Sequence, residues 1–128
     1  MTHPLFEKHR ATLEGALAAI QARGFWSAYP EQPSPKIYGE TANDEGKAAA
    51  LGHAGRRFEL DQPGTTGWIA SEHSPYGVAL EVQYPASDPQ ALINAGLAAM
   101  PAWQRLGPDG RTGVLLEALA RINKASFE

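Results

Sequence analysis

Cysteine is the residue that this sequence lacks altogether, since none of its 128 residues is one. A disulfide needs two cysteines, and thiolates are both the metal ligands and the nucleophiles of cysteine chemistry. The chain by itself therefore cannot form a disulfide, a thiolate metal site or a cysteine nucleophile.

A strong charge of one sign and a long apolar run are also missing. Eleven lysines and arginines against fourteen aspartates and glutamates give a formal net charge of −3. The basic residues are scattered, and no stripe of them could neutralise several phosphates. No apolar span is long enough to cross a membrane, and no signal-peptide pattern is present. We therefore expect no nucleic-acid or membrane partner and a cytoplasmic location.

Helical patterns occupy most of the chain. Proline at a first helical turn, followed by apolar residues three or four positions apart, predicts long helices near Pro4–Arg23, Pro89–Met100 and Pro108–Ala125. A short alanine-rich helix is predicted over Thr41–Leu51. Pro101 lacks the backbone donor that a continuing helix needs, so we expect it to stop or kink the second long helix. Ser87 and Gln90 have the spacing of a capping box at the start of that helix.

A corner should join the last two helices. Gly107 suits a left-handed cap, and Pro108 suits a new helix start. One apolar stripe then follows the last helix, formed by Val114, Leu115, Ala118, Leu119 and Ile122. We expect Trp103 to pack beside this stripe with its indole mostly buried.

The remaining segments carry weaker signals. Alternation over Val78–Tyr84, ended by Pro85, predicts a strand with one buried face, and Thr65–Ser71 is a shorter candidate. The predicted fold class is thus mainly α, a helical hairpin plus a leader helix, with a minor β-strand. His3 and His9 lie six residues apart on different helix faces, which argues against a shared metal site and favours solvent-exposed roles.

An aromatic and proline-rich segment, which we call the arm, spans Phe25–Tyr38 and should be extended. Its aromatic residues include Phe25, Trp26 and Tyr29. The arm has two interpretations. It docks on a partner surface, where large rings bury much area, or it lies over its own chain.

The run from Pro101 through Trp103, Leu106, Pro108, Arg111, Leu115, Leu119 and Ile122 resembles the amino-terminal helices of the aldehyde dehydrogenase superfamily. Upstream, the words HPLFEKHRATLEGALAAI, GFWSAYPE, FELDQPGTTGW and SPYG resemble the leader of PaaN-type phenylacetic acid degradation proteins. The resemblance covers nearly the whole chain. It implies a parent enzyme that oxidises an aldehyde, formed from a ring-opened phenylacetyl-CoA derivative, with NAD or NADP.

The catalytic parts of that superfamily cannot be placed on this chain. The resemblance implies a cysteine nucleophile, a glutamate base and a nicotinamide cofactor on a Rossmann-type sheet. The chain has no cysteine and no Gly-x-Gly-x-x-Gly fingerprint, so we assign it no catalytic, cofactor-binding or metal residues. We expect a noncatalytic amino-terminal segment of a larger α/β fold. Residues 1–84 would form the leader and residues 85–128 the helix pair that opens the cofactor domain, with the rest of the parent enzyme as partner.

An alternative is a free-standing helical module that mediates protein–protein interaction or dimerisation. The resemblance and the stripe together select a set of candidate packing and association residues, with a homo-oligomer as the expected state. These residues are Trp103, Arg111, Leu115, Leu119, Ile122, Phe25, Trp26 and Tyr29.

The missing thiol gives a direct prediction for the isolated chain. It should neither reduce NAD or NADP with any aldehyde nor bind either cofactor tightly, because no thiohemiacetal can form from which a hydride could leave. Absorbance of the reduced cofactor at 340 nm provides the assay. Turnover that survives removal of contaminating full-length enzyme would contradict the prediction.

Overall fold

The computed structural model describes residues 3–69, 74–77 and 79–128. In these ranges the chain is mainly helical with one small sheet, which confirms the predicted fold class. In chain order the elements are α1 (Pro4–Ala22), α2 (Pro35–Tyr38), α3 (Ala42–His53), β1 (Thr65–Ile69), β2 (Tyr84–Ser87), α4 (Pro89–Arg105) and α5 (Gly107–Lys124).

The chain divides into two compact units. Unit 1 contains Met1–Gly46 and Ala102–Glu128, and unit 2 contains Lys47–Pro101. In unit 1, α1 packs against α5; in unit 2, β1 pairs with β2. The division at residues 84 and 85 expected from the sequence stays a prediction.

Local capping explains where α1 begins and ends. The Nδ1 atom of His3 accepts a hydrogen bond from the backbone N–H of Leu5 at 3.3 Å, and Pro4 occupies the first turn. Arg23 takes a left-handed conformation with φ of 51° and closes the helix. These bounds agree with the predicted helix to within one residue.

The start of α4 differs from the predicted capping box. Oδ1 of Asp88 accepts from the backbone N–H of Gln90 at 3.2 Å. The hydroxyl of Ser87 instead accepts from the Gln62 side chain at 2.7 Å, because Ser87 belongs to β2. Pro89 is the first helical residue, as predicted.

Pro101 does not stop α4, because the helix continues through it to Arg105; the alternative expectation, a kink at Pro101, stays a prediction. Proline removes one backbone donor, so the carbonyl of Leu97 loses its usual partner. That loss costs about 3 kcal/mol but leaves the donors on either side free to continue the ladder. The helix therefore tolerates the proline, and Trp103 lies within α4. Gly107, with φ of 67°, makes the turn into α5 as expected.

The small sheet is antiparallel, with Gly67 opposite Ala86 and a bulge between Thr65 and Gly67. Within the described residues the predicted strand over 78–84 is misplaced, since β2 begins at Tyr84; residue 78 itself lies outside them. Glu81 takes a positive φ of 52°, which breaks an extended segment. Pro85 lies inside β2 because each strand of a two-stranded sheet has an open edge, where a missing donor is tolerated. The shorter candidate agrees with β1 as far as Ile69, and residues 70 and 71 lie outside the described part.

A large hydrophobic core is not present in the described part of the chain, where Val82, at 6% exposure, is the one buried hydrophobic residue and no side chain is completely enclosed. The accessible surface is 9976 Å². Two separate folded bodies with the sizes of the two units would together expose about 7,900 Å². The chain therefore leaves about 2,000 Å² more surface in water than folded bodies of its size usually do.

Candidate functional site

The contact between α1 and α5 depends on glycine. Gly113 is buried against the backbone of α1, and a methyl group at this position would overlap the Phe6 nitrogen and lie 2.8 Å from the carbonyl carbon of Leu5. Gly110, three residues earlier, faces the His3 ring, where a methyl group would lie 3.5 Å away. The backbone of α1 thus lies directly against the face of α5 that carries Gly113, and no larger residue fits at that position. This glycine pair is a signal that the sequence reasoning missed.

One carboxylate then ties the two helices together. Glu117 of α5 accepts hydrogen bonds from Nζ of Lys8 at 2.6 Å, Nε2 of His9 at 2.8 Å and Nε of Arg121 at 3.1 Å. The Glu117 side chain is only 14% exposed. His9 is 8% exposed. The prediction of a solvent-exposed His9 is wrong, because α1 presents His9 on the face that packs against α5.

The three donors stabilise the charged form of the carboxylate. Hydrogen bonds from Lys8, then His9 and then Arg121 lower the pKa of Glu117 to about 2. A general base needs a free lone pair and a pKa near the working pH. Three of the roughly four lone-pair sites of Glu117 are engaged and its pKa lies far below neutral pH, so this cluster is suited to holding α1 on α5.

The predicted stripe lies on the uncovered side of α5. Leu115, Leu119 and Ile122 are between 50% and 67% exposed, and α1 occupies the glycine side of the helix instead. Trp103 keeps 38% of its surface accessible, so the expectation of a mostly buried indole anchoring the corner is not met. Arg111 is half-buried. The stripe and Trp103 are thus available as an association surface, which remains a prediction.

The arm packs on its own unit at two points. The Trp26 indole lies against Gly15, where a methyl group would be 3.1 Å from the ring, so the glycine inside α1 admits the arm. The hydroxyl of Tyr38 donates to the Pro30 carbonyl at 2.6 Å. Phe25, by contrast, is 90% exposed. The expectation that the whole arm is extended is wrong for its last four residues, which form α2.

The end of the arm also contacts the last residues of the chain. The Tyr38 and Phe127 rings meet edge-on with centroids 5.2 Å apart, and the Tyr38 hydroxyl lies 3.3 Å from Oδ1 of Asn123. Gly46 faces the Phe127 backbone, which leaves no room for a side chain there. Tyr29 is half-buried. The arm is therefore anchored within unit 1 at Trp26 and Tyr38, while Phe25 projects into solvent.

Unit 2 contains an open groove of about 500 Å³. The Arg57 guanidinium lies 4.8 Å above the ring of Trp68, one of its lining residues. The lining consists of Glu59, Leu60, Asp61, Gln62, Thr65 and Trp68. Glu59 and Asp61 place two carboxylates along this lining, and none of its residues is a histidine, lysine or cysteine.

Metal ligation and membrane insertion find no support in the described residues. No group of three or more histidine, cysteine, aspartate or glutamate side chains there could hold a metal ion. No helix in those same ranges is both long and apolar enough to cross a membrane.

The chain is similar to the NAD-dependent aldehyde dehydrogenase from Burkholderia multivorans. The crystal structure of that enzyme matches with a TM-score of 0.94 and 55% sequence identity over 100% of this chain. The matched part is 23% of that enzyme, so the chain spans about a quarter of the protein it resembles. No protein-family model matches the chain, and no curated protein does so.

Replacing Gly113 by alanine tests the close approach of the helices. Gly113→Ala should destabilise the chain by about 1–3 kcal/mol despite alanine's higher helix propensity, because the methyl group overlaps the α1 backbone. Gly96→Ala in α4 is the matched control, since open space surrounds that position, and it should stabilise by up to about 1 kcal/mol. Urea unfolding followed by circular dichroism measures both. Equal effects of the two variants would contradict the contact.

The Glu117 cluster predicts a specific acid sensitivity. The folded-state pKa lies below the ordinary 4.5, so the carboxylate's contribution to stability is complete above pH 4.5 and is lost as the pH falls toward about 2. Glu117→Gln should lower stability at pH 7 and reduce the further loss between pH 5 and pH 3. Glu14→Gln, at an exposed position on α1, is the control. If the Glu117→Gln variant loses as much stability between pH 5 and pH 3 as the unsubstituted chain does, the three donors do not act on this carboxylate.

Proposed function

We propose that this chain, which has the fold of an aldehyde dehydrogenase segment, is the noncatalytic amino-terminal part of a PaaN-type aldehyde dehydrogenase of phenylacetic acid degradation. The parent enzyme would oxidise a CoA-linked semialdehyde, formed by ring cleavage, with NAD or NADP. The observation that carries the proposal is the match at 55% identity over the whole chain to a segment of a much longer NAD-dependent aldehyde dehydrogenase.

The side chains support a structural role for this segment. The chain supplies no cysteine, and the best-organised carboxylate, Glu117, is engaged by three donors. Both facts fit a segment that supports the catalytic parts and does not contribute to them. The nucleophile, the base and the cofactor site would then lie in the parent polypeptide outside the matched part.

The narrower assignment to phenylacetic acid degradation rests on the upstream sequence segments that resemble the leader of PaaN-type proteins. They run from His3 to Ile20, Gly24 to Glu31, Phe58 to Trp68 and Ser74 to Gly77. We also propose a cytoplasmic location and a homo-oligomeric state. The cofactor NAD has additional support from the matched enzyme, which is NAD-dependent.

A second candidate function is a free-standing interaction or dimerisation module. The exposed side chains of Leu115, Leu119 and Ile122 favour it, because three neighbouring apolar residues on one helix face form a surface that a second copy could cover. The coding sequence after codon 128 separates the two candidates. A long continuation with a glycine-rich nucleotide motif and an active-site cysteine supports the enzyme segment, and a stop codon supports the module.

The proposed pathway can be tested in the source cell. In-frame deletion of the codons for residues 2–128, which keeps the Met1 codon, should abolish growth on phenylacetate as the sole carbon source, because the parent enzyme would lose the support for its cofactor domain. Growth on succinate should be unchanged. Restoring the deleted codons should restore growth, and normal growth of the deletion strain on phenylacetate would overturn the PaaN-type assignment.

A further inference from the structure

Helix α5 has two different faces, and the fold covers one of them. The face with Gly110, Gly113 and Glu117 meets α1. The other face carries Leu115 and Leu119, which follow Gly113 closely in sequence but remain at least half exposed, as does Ile122. We call these three residues the α5 stripe. The close packing of α1 on the glycine side means that the α5 stripe cannot be covered by α1.

Helix α4, most of which lies in unit 2, repeats this arrangement. Its apolar side chains recur at helical spacing on one side and are all between 41% and 58% exposed. We call them the α4 stripe: Leu92, Ile93, Leu97 and Met100. On a different side of α4, Ala91 packs on Gly64, so the helix has a covered side as well.

We infer that the α4 and α5 stripes are docking faces for the remainder of the parent aldehyde dehydrogenase polypeptide. The inference rests on the proposed function and adds the surfaces through which this segment is held. The seven stripe side chains support it, because each stays between 41% and 67% exposed and apolar residues that recur on one helix face in water are typical of a surface that a partner covers. The matched enzyme contains enough additional chain to cover both stripes, since this segment accounts for only 23% of it.

A second copy of this chain is a weaker occupant. A two-fold contact through the α5 stripe would bury Leu115, Leu119 and Ile122 against their equivalents, but it gives no account of the separate α4 stripe. One large partner accounts for both stripes together. The stripes also define the chemistry of that partner, because they present leucine, isoleucine and methionine with small residues such as Gly96 and Ala118 between them. The partner surface must therefore be apolar, and charged residues at its centre would not fit.

The absence of cysteine allows a direct test with single introduced thiols. The probe is a chimera in which this chain replaces the matched segment of the Burkholderia multivorans enzyme. Leu97→Cys and Leu119→Cys report the two stripes, and Ala98→Cys and Lys124→Cys are matched controls at exposed positions off the stripes. Lys124 follows Leu115 by nine residues, which places it on the opposite side of α5. Maleimide labelling, quantified by mass spectrometry of each peptide, gives the four rates in the chimera and in the isolated chain.

In the isolated chain all four thiols should react at similar rates. In the chimera the two stripe thiols should react at least tenfold more slowly than their controls. Carbene footprinting of the unsubstituted chimera should show the same protection at Leu97 and Leu119, which removes any effect of the substitutions on folding.

The possible failures are distinguishable. A chimera that folds and oxidises aldehyde with NAD but leaves the stripe thiols as reactive as the controls overturns this inference alone. A chimera that neither folds nor turns over substrate counts against the proposed function, provided that the unmodified Burkholderia multivorans enzyme assayed beside it does both. Protection of Leu119→Cys in the isolated chain that rises with protein concentration identifies a second copy as the occupant and also overturns the inference.

Discussion

In the described part of the chain most large apolar side chains stay partly in water, and most features of the structure follow from that constraint. Val82 is the one buried hydrophobic residue in those ranges, and each of α1, α4 and α5 keeps leucine and isoleucine side chains exposed. Hydrophobic burial is the dominant favourable term in folding, and small bodies have little of it. Contacts of another kind must therefore contribute to holding unit 1 together.

In unit 1 those contacts are close backbone packing and a charged cluster. Gly113 lets α5 approach the backbone of α1, and the approach brings the Glu117 carboxylate within reach of Lys8 and His9. Dispersion contacts at such short range and charge-assisted hydrogen bonds do not require a large core. The same arrangement turns Leu115 and Leu119 outward. An exposed apolar face is unfavourable in an isolated protein, whereas in a segment of a larger protein it can pack against the rest of the polypeptide.

This division of faces agrees with the proposed noncatalytic role. Catalytic groups need free lone pairs, perturbed protonation near neutral pH and a site that excludes water. Here the organised carboxylate is tied to three donors, the groove in unit 2 is open, and the chain has no thiol. In the proposed parent enzyme, the contribution of this segment would be the surface that it offers to the rest of the fold.

The sequence alone determined the features that depend on near neighbours. Pro4 and Pro89 marked helix starts and Gly107 marked the turn into α5, because capping and turn geometry are decided within a few residues. The resemblance to aldehyde dehydrogenases was also visible in the sequence. Tertiary structure alone decided which face of α5 is covered, the burial of His9, the continuation of α4 through Pro101 and the position of β2. A helical stripe shows that a face is apolar but not what will cover it. In this chain α1 packs against the glycine face of α5, because only there can the two backbones approach each other closely.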